Sequence, residues 1–198
     1  INSINKKGTL VTVEFTIGST RINDEKVEVI DLPGTYSLTA YSQEEVVARN
    51  YIVDEQPDLI LNVIDASNLE RNLYLTAQLI ELNMPMVIAL NMVDVAEKKG
   101  IQINADLLEK LLGVKVIETV GNKRRGLDKL KSCCLETIEA GTRAKALSYS
   151  HEMRQVLPDL EKVVEKHPEI SGIFSTRWGA VKLLEDDEIV VKRMKQYD

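Results

Sequence analysis

Residues 59–94 read LILNVIDASNLERNLYLTAQLIELNMPMVIALNMVD, and this stretch decides the fold class. It starts with the apolar run LILNVI at 59–64 and ends just after the run MVIAL at 86–90, each typical of a strand that is buried on both faces. Between the two runs, leucine and isoleucine recur at helical spacing over residues 71–82. A strand, a helix and a second strand in this order predict a βαβ unit with parallel strands.

Strand and helix signals alternate on both sides of this unit. Further strands are predicted at 9–15, 26–30 and 114–117, and further helices at 44–52, 105–112 and 127–140. Such alternation favours an α/β fold, in which helices flank a mainly parallel sheet.

Strand signals fade in the last quarter of the chain, where residues 150–165 and 177–185 carry helical patterns. We therefore predict a boundary at residues 141–146, which separates a first domain, 1–143, from a small all-helical domain, 144–198. Three large apolar residues of the second domain stand at helical spacing and are predicted to pack inward: Trp178, Val181 and Leu184.

The composition limits the classes of function. Thirty-one Asp and Glu against 25 Lys and Arg give a net charge of -6, which argues against a nucleic-acid-binding surface. The two cysteines, Cys133 and Cys134, are neighbours without the spacing of a metal site, and we expect buried thiols. The two histidines, His151 and His167, stand alone, so no ligand set for Fe²⁺ is visible.

The lengths of the apolar runs indicate whether these residues cross a membrane. None approaches the roughly 20 residues that a membrane-spanning helix needs, so we expect these residues themselves to be soluble. Because the first residue is Ile1 rather than Met, we expect the chain to begin inside a longer product.

The first chemical motif, Asp31-Leu32-Pro33-Gly34, follows the predicted strand 26–30. An aspartate at this place can hold Mg²⁺ directly or through water, and a glycine N–H can approach a terminal phosphate closely. Taken alone the motif is weak, because an aspartate that caps a turn ahead of proline explains it equally well.

The second motif, Asn91-Met92-Val93-Asp94, follows the apolar run 86–90. A carboxylate here can accept two N–H bonds from the Watson–Crick edge of guanine, which adenine does not offer. The structural alternative is a helix cap, because Asn and Asp both favour that position. The two motifs stand 60 residues apart, each directly after a predicted strand, and this agreement favours a nucleotide site.

Three stretches carry a resemblance to a known family. Val11-Thr12-Val13-Glu14 is similar to the end of its first switch, DLPGTYSL at 31–38 to its second switch, and NLERNLYL at 68–75 to a stretch diagnostic of it. The family is that of the FeoB ferrous-iron transporters, whose amino-terminal region the sequence resembles over nearly its whole length.

A fourth loop aligns with the last base-contacting loop of that family. The loop contains Val120, Gly121, Asn122 and Lys123. Ser and Ala are common in this loop of the family, and this sequence has Gly121 and Asn122 instead. The resemblance therefore implies contacts through backbone N–H groups. Met92 stands where most small GTPases carry Lys, and Met is seen at this place within the family.

The resemblance implies a Ras-like P-loop GTPase domain followed by a helical regulatory domain, both on the cytoplasmic face of a cell membrane across which the protein moves Fe²⁺. Thr12 would close over Mg²⁺ and the γ-phosphate, and Asp31 would support the Mg²⁺ shell. Gly34 would donate its N–H to the γ-phosphate, while Asn91 and Asp94 would hold guanine. Slow hydrolysis is expected, because no residue here resembles a strong general base.

The same resemblance implies ligands and partners. The ligands are GTP or GDP and Mg²⁺, with K⁺ as a further ion. The partners are the transmembrane iron-permease part of the same polypeptide, small Feo accessory proteins and a second copy of the chain, with no nucleic acid.

The phosphate-binding loop G-x-x-x-x-G-K-[ST] is absent from these 198 residues. Residues 1–5 resemble the helix that follows this loop, and about a dozen residues of the first switch would stand between Leu10 and Val11, a length usual for functional loops. We therefore expect a break in the chain there, with the first strand and the loop left out.

Two alternatives remain open. A degenerate homologue would bind guanine nucleotide as a regulatory module without hydrolysing it. A ribosome- or RNA-associated GTPase shares both motifs, but the acidic balance does not support the basic face that it needs.

Overall fold

The structure, a computed structural model, describes residues 2–4, 10–12, 15–23, 25–39, 42–171 and 175–195. Its chain divides into two units, Ile1–Gln56 and Pro57–Asp198.

The described residues of the amino-terminal unit form two antiparallel strand pairs and one helix. Strand β1 (Asn2–Ile4) pairs with β2 (Leu10–Thr12), and β3 (Thr16–Ile22) pairs with β4 (Glu25–Asp31). Helix α1 (Gln43–Glu55) begins at a capping box, in which the Ser42 hydroxyl accepts from the Glu45 N–H and the Glu45 carboxylate accepts from the Ser42 N–H.

Some expectations for this unit were wrong. Where a helix is expected at residues 1–5, the described residues Asn2–Ile4 form strand β1, because a segment this short gains more from pairing with β2 than from a costly helix nucleus. Leu10 and Val11, between which a break is expected, both belong to β2, and the break stays a prediction. Of the strand predicted at 9–15, residues 10–12 form β2, residue 15 is outside a strand, and 9, 13 and 14 lie outside the described residues. Strand β3 was missed because its sequence TIGSTRI lacks an apolar alternation.

The second unit is built around a parallel sheet with the strand order β5-β6-β7. The strands are β5 (Ile60–Asp65), β6 (Met86–Asn91) and β7 (Lys115–Glu118). The four helices of this part are α2 (Leu69–Glu81), α3 (Val93–Lys98), α4 (Ala105–Leu112) and α5 (Leu127–Ala140). The predicted α/β class with a parallel sheet is confirmed.

The core of this unit lies around β6, whose five apolar residues are all buried. Helix α5 packs against the sheet through Leu130, Cys133 and Cys134, next to Val87 and Ala89 of β6. Burial raises the pKa of the Cys134 thiol to about 11, and it raises the pKa of Cys133 as well. Both cysteines are buried and free, as expected from the sequence.

Strand β5 has one covered and one open face. Asn62 and Ile64 are buried, and the Asn62 amide donates to the Thr76 hydroxyl of α2 over 2.9 Å. Leu61 and Val63 point the other way, and 58% of Val63 is exposed. Among the described strands, β5 pairs only with β6, so its second edge is open.

Four helices form the end of the chain: α6 (His151–Glu165), α7 (Pro168–Ser171), α8 (Thr176–Leu184) and α9 (Glu188–Lys195). Trp178 is buried as predicted, and Val181 is half-buried. The prediction for Leu184 was wrong, because 44% of it is exposed. Lys182, one turn after Trp178, takes the buried position instead.

Within the part of the chain that the structure describes, no helix combines the length and the apolar composition that crossing a membrane requires.

Candidate functional site

The Asp31–Gly34 motif lies where β4 ends. Asp31 and Gly34 are exposed, while Leu32 and Pro33 are half-buried. A Cβ added to Gly34 would meet nothing within 4 Å, so the space around its backbone is open. The motif therefore presents a carboxylate and an accessible N–H on one short loop.

The segment after this motif is held by a single carboxylate. The Ser37 hydroxyl donates to Glu45 Oε1 over 2.6 Å, and the Ser42 N–H donates to Glu45 Oε2 over 3.2 Å. Leu38, between them in the chain, is buried. Glu45 thus ties Ser37 to the start of α1. The S-x-x-E pattern at 42–45 could have indicated the capping box but not the bond to Ser37.

The structure describes only part of the predicted first-switch residues 11–14, of which Thr12, together with Asp31, is predicted to hold Mg²⁺. Val11 and Thr12 lie in β2, whereas Val13 and Glu14 lie outside the described residues. No group of three or more His, Cys, Asp or Glu able to hold a metal ion occurs among the described residues. The exposed carboxylate of Asp31 nevertheless fits Mg²⁺, which usually takes one or two carboxylates together with water and phosphate oxygens.

Asn91 ends β6 and is held by the neighbouring loop. Its Oδ1 atom accepts hydrogen bonds from the Gly121 N–H over 3.0 Å and from the Thr119 hydroxyl over 3.2 Å. The structure therefore brings together two residues, Asn91 and Gly121, that the sequence had predicted as one site. Thr119, buried at the end of β7, was missed, because a lone threonine gives no signal of its own.

The helix-cap explanation of the Asn91–Asp94 motif does not hold. The residue before α3 is Met92, in the left-handed region with φ 61°, and its side chain makes no capping bond. Met92 is 40% exposed, and Val93 is buried beneath it. Neither Asn91 nor Asp94 is the N-cap residue of this helix, so both polar side chains are left for another role.

Asp94 forms an ion pair with Lys123. The Lys123 ammonium lies 2.5 Å from Asp94 Oδ2, and this hydrogen bond lowers the pKa of the carboxyl, with the charges of Lys123 and Lys98 acting in the same direction. Asp94 is therefore ionised at neutral pH and able to accept N–H bonds.

Backbone hydrogen bonds hold together the two ends of the loop that carries Gly121, Asn122 and Lys123. The backbones of Val120 and Arg125 exchange hydrogen bonds of 3.0 and 3.3 Å. Gly126 follows with φ 80°, and a Cβ there would lie 2.2 Å from the Glu118 carbonyl oxygen. Only glycine fits this place, so the backbone fixes where the loop leaves β7.

The site of this unit thus lies at the carboxyl ends of the parallel strands β6 and β7. This is the edge at which open α/β sheets bind their ligands. It presents one ionised carboxylate, one amide already oriented by two donors, and one exposed apolar side chain, a set that suits a planar polar base.

Comparison with known proteins identifies the family of this chain. The family model described as "Ferrous iron transport protein B" matches residues 7–134, and the model "FeoB cytosolic helical domain" matches residues 149–198. A fusion protein of Fe(2+) transport protein A and Fe(2+) transporter FeoB from Porphyromonas gingivalis is 42% identical over 182 residues, 90% of this chain and 22% of that protein.

Two solved structures are similar as well. The cytosolic domain of L. pneumophila FeoB has a TM-score of 0.82 at 40% identity, covering 93% of this chain and 72% of that one. A mutant of S. thermophilus NFeoB bound to GMPPNP has the same TM-score and identity, covering 92% and 70%.

The chain spans less than a quarter of the length of the curated relative described above. The two family models together cover most of the 198 residues, and the relatives and structures point to the same proteins. This chain belongs to the FeoB family, with the family's G domain followed by its cytosolic helical domain.

Proposed function

We propose that this chain is the cytosolic part of a ferrous-iron transporter, where it binds GTP and hydrolyses it slowly, and that its nucleotide state regulates iron uptake. The observation that carries the proposal is the pair of Asn91 and Asp94 at the end of β6. Asn91 is oriented by the Gly121 N–H and the Thr119 hydroxyl, and the Asp94 carboxylate is ionised.

In this proposal the 91–94 motif and the neighbouring loop hold guanine. Asp94 accepts the N–H groups of the Watson–Crick edge, which is the contact that selects guanine over adenine. Met92 lays its exposed side chain along the base, and buried Val93 anchors the motif. The Gly121 N–H and the Lys123 N–H are bound to Asn91 Oδ1 and to the Val120 carbonyl oxygen, so Gly121 and Lys123 shape the loop beside the base, and Asn122 contributes its backbone N–H to the base.

The Asp31–Gly34 motif serves the phosphates. The Gly34 N–H donates to the γ-phosphate, Leu32 and Pro33 shape the loop, and Thr12 with Asp31 holds Mg²⁺. When bound, that ion supplies neutralisation of the charge on the phosphates. K⁺ is a further ion in the proposal, and Val11, Val13 and Glu14 belong to the same switch as Thr12.

The phosphate-binding loop belongs, in this proposal, to a part of the polypeptide outside these 198 residues. The edge of β5 that no described strand pairs with supports a further strand beside it. Its exposed Leu61 and Val63 support a further element over that face, because strands of parallel sheets are normally covered on both faces.

The domain boundary near residue 143 stays a prediction, and the interval between the two matched regions, 135–148, supports it. The helical domain, 144–198, would lead to the transmembrane iron permease at the cytoplasmic face of the membrane. A relative whose name joins Fe(2+) transport protein A to FeoB supports a small accessory partner. Self-association stays a prediction.

The alternative is a module that binds guanine nucleotide without hydrolysing it. Phosphate release from GTP by the full-length protein separates the two. Hydrolysis that depends on Mg²⁺ and is lost in Asp31→Ala supports the GTPase. Tight GTP binding with no release of phosphate above the rate in water supports the regulatory module.

A further inference from the structure

Lys123 occupies the acceptor that the proposed function gives to the base. Its ammonium lies 2.5 Å from Oδ2 of Asp94. A carboxylate that receives two parallel N–H bonds from guanine uses both of its oxygens. The ammonium and the base therefore require the same atom.

The fold of the loop brings Lys123 to this place. The Gly121 N–H is bound to Asn91 Oδ1, and a 3₁₀ turn over Gly121–Lys123 carries the chain toward Asp94. Each polar side chain of the 91–94 motif thus holds one residue of the loop. As a result, the contact with Lys123 is part of how the loop closes over the site.

The pair is also easy to open. Asp94 is mostly covered, with 17% of its side chain exposed, whereas 58% of the Lys123 side chain is exposed. An ammonium on a flexible four-carbon stem regains its hydration when it swings into water, and such ion pairs are weak. The contact can therefore bias the loop without locking it.

We propose that Lys123 competes with guanine for Asp94. The loop then has a closed form, with the ammonium on the carboxylate, and an open form that accepts the base. This inference rests on the proposed function and adds an internal competitor to it. Only the open form binds nucleotide. The apparent Kd is therefore the Kd of the open form divided by the fraction of the protein that is open.

The test is calorimetric titration of the full-length protein with GDP, comparing the parent with Lys123→Gln. The variant should bind GDP about two- to fivefold more tightly, the range expected for losing an exposed ion pair. This gain in GDP affinity should be smaller in 1 M salt. The Debye length there is roughly 3 Å, so the salt already weakens the ion pair of the parent. Lys123→Arg should bind like the parent.

Arg125→Gln is the matched control. It removes the same charge from the same loop, but the Arg125 side chain is exposed and its backbone pairs with Val120. Removing a positive charge near an anionic nucleotide should leave binding unchanged or weaken it. Tighter binding in Lys123→Gln alone therefore identifies competition rather than a general effect of charge.

Unchanged or weaker GDP binding by Lys123→Gln overturns the competition, as does an equal gain in Arg125→Gln. Asp94→Asn, titrated in parallel, separates this failure from failure of the proposed function. If Asp94→Asn loses GDP affinity while Lys123→Gln gains none, only the competition is wrong. If Asp94→Asn keeps full GDP affinity, the assignment of the base site itself is wrong.

Discussion

A buried hydroxyl determines how the proposed base site is oriented. Thr119 is almost fully buried, and its hydroxyl donates to Asn91 Oδ1, the atom that also receives the Gly121 N–H. With both donors on Oδ1, the Asn91 amide is fixed, and its NH₂ group is left to face a ligand. The sequence could not indicate this, because the contact joins residues 28 positions apart.

Thr119→Val tests this role, because it keeps the shape of the side chain and removes the hydroxyl. We expect the free energy of unfolding to fall by about 1 kcal/mol and GDP binding to weaken severalfold. The control is Thr137→Val, which removes another buried hydroxyl, bonded to the Cys133 carbonyl oxygen. This control should lose a similar free energy of unfolding, measured by urea denaturation, while its Kd for GDP stays that of the parent. Equal GDP affinities in the two variants would contradict the role of Thr119.

At the scale of elements, one ion pair joins the end of α2 to the carboxy-terminal helices. Arg177 Nε donates to Glu81 Oε2 over 3.0 Å, and Arg177 Nη2 donates to the Leu147 carbonyl oxygen over 2.6 Å. The Ser175 hydroxyl donates to the Glu81 carbonyl oxygen over 2.7 Å. Arg177 of α8 therefore joins helix α2, through Glu81, to the segment before α6, through Leu147.

Arg177→Ala should destabilise this junction strongly, because it leaves the buried Glu81 carboxylate without its cation. We expect the free energy of unfolding to fall by about 3 kcal/mol in urea denaturation, at the lower end of the range for buried pairs since Arg177 is partly exposed. Lys162→Ala, which breaks the exposed pair with Asp159, should cost less than about 0.5 kcal/mol. Similar losses in the two variants would show that the junction contributes no special stability.

At the scale of the whole molecule, the sequence predicted elements where apolar runs or periodic patterns decide the structure. Strand β6 and helices α4 and α5 were predicted within one residue. The apolar residues of β6 are all buried, and α5 buries one face, whereas α4 buries only Leu108 and is bounded by its cap Asn104 and by Gly113. Strand β3 was missed because its side chains are mostly exposed, so pairing with β4 rather than burial forms it. Leu184 was misplaced because Lys182 occupies the buried face of α8, which no hydrophobic pattern indicates.

The sequence also predicted part of the candidate site. The sequence placed Asn91 and Asp94 after a strand, and the parallel pairing of β6 with β7 brings the 121–123 loop beside them. The hydrogen bonds of Thr119 and Lys123 join side chains from distant positions, and a single sequence does not pair them.

The selection of guanine by Asp94 is the central claim for the molecule, and nucleotide specificity tests it most directly. The measurement is calorimetric titration of the full-length protein and of Asp94→Asn with GDP and with xanthosine diphosphate, beside Asp106→Asn as a control on another helix. Asp94→Asn should lose roughly tenfold to a hundredfold in GDP affinity, because an amide donor then faces the N–H edge of guanine, and it should gain affinity for xanthosine diphosphate. Equal GDP affinity in Asp94→Asn and the parent would contradict the account.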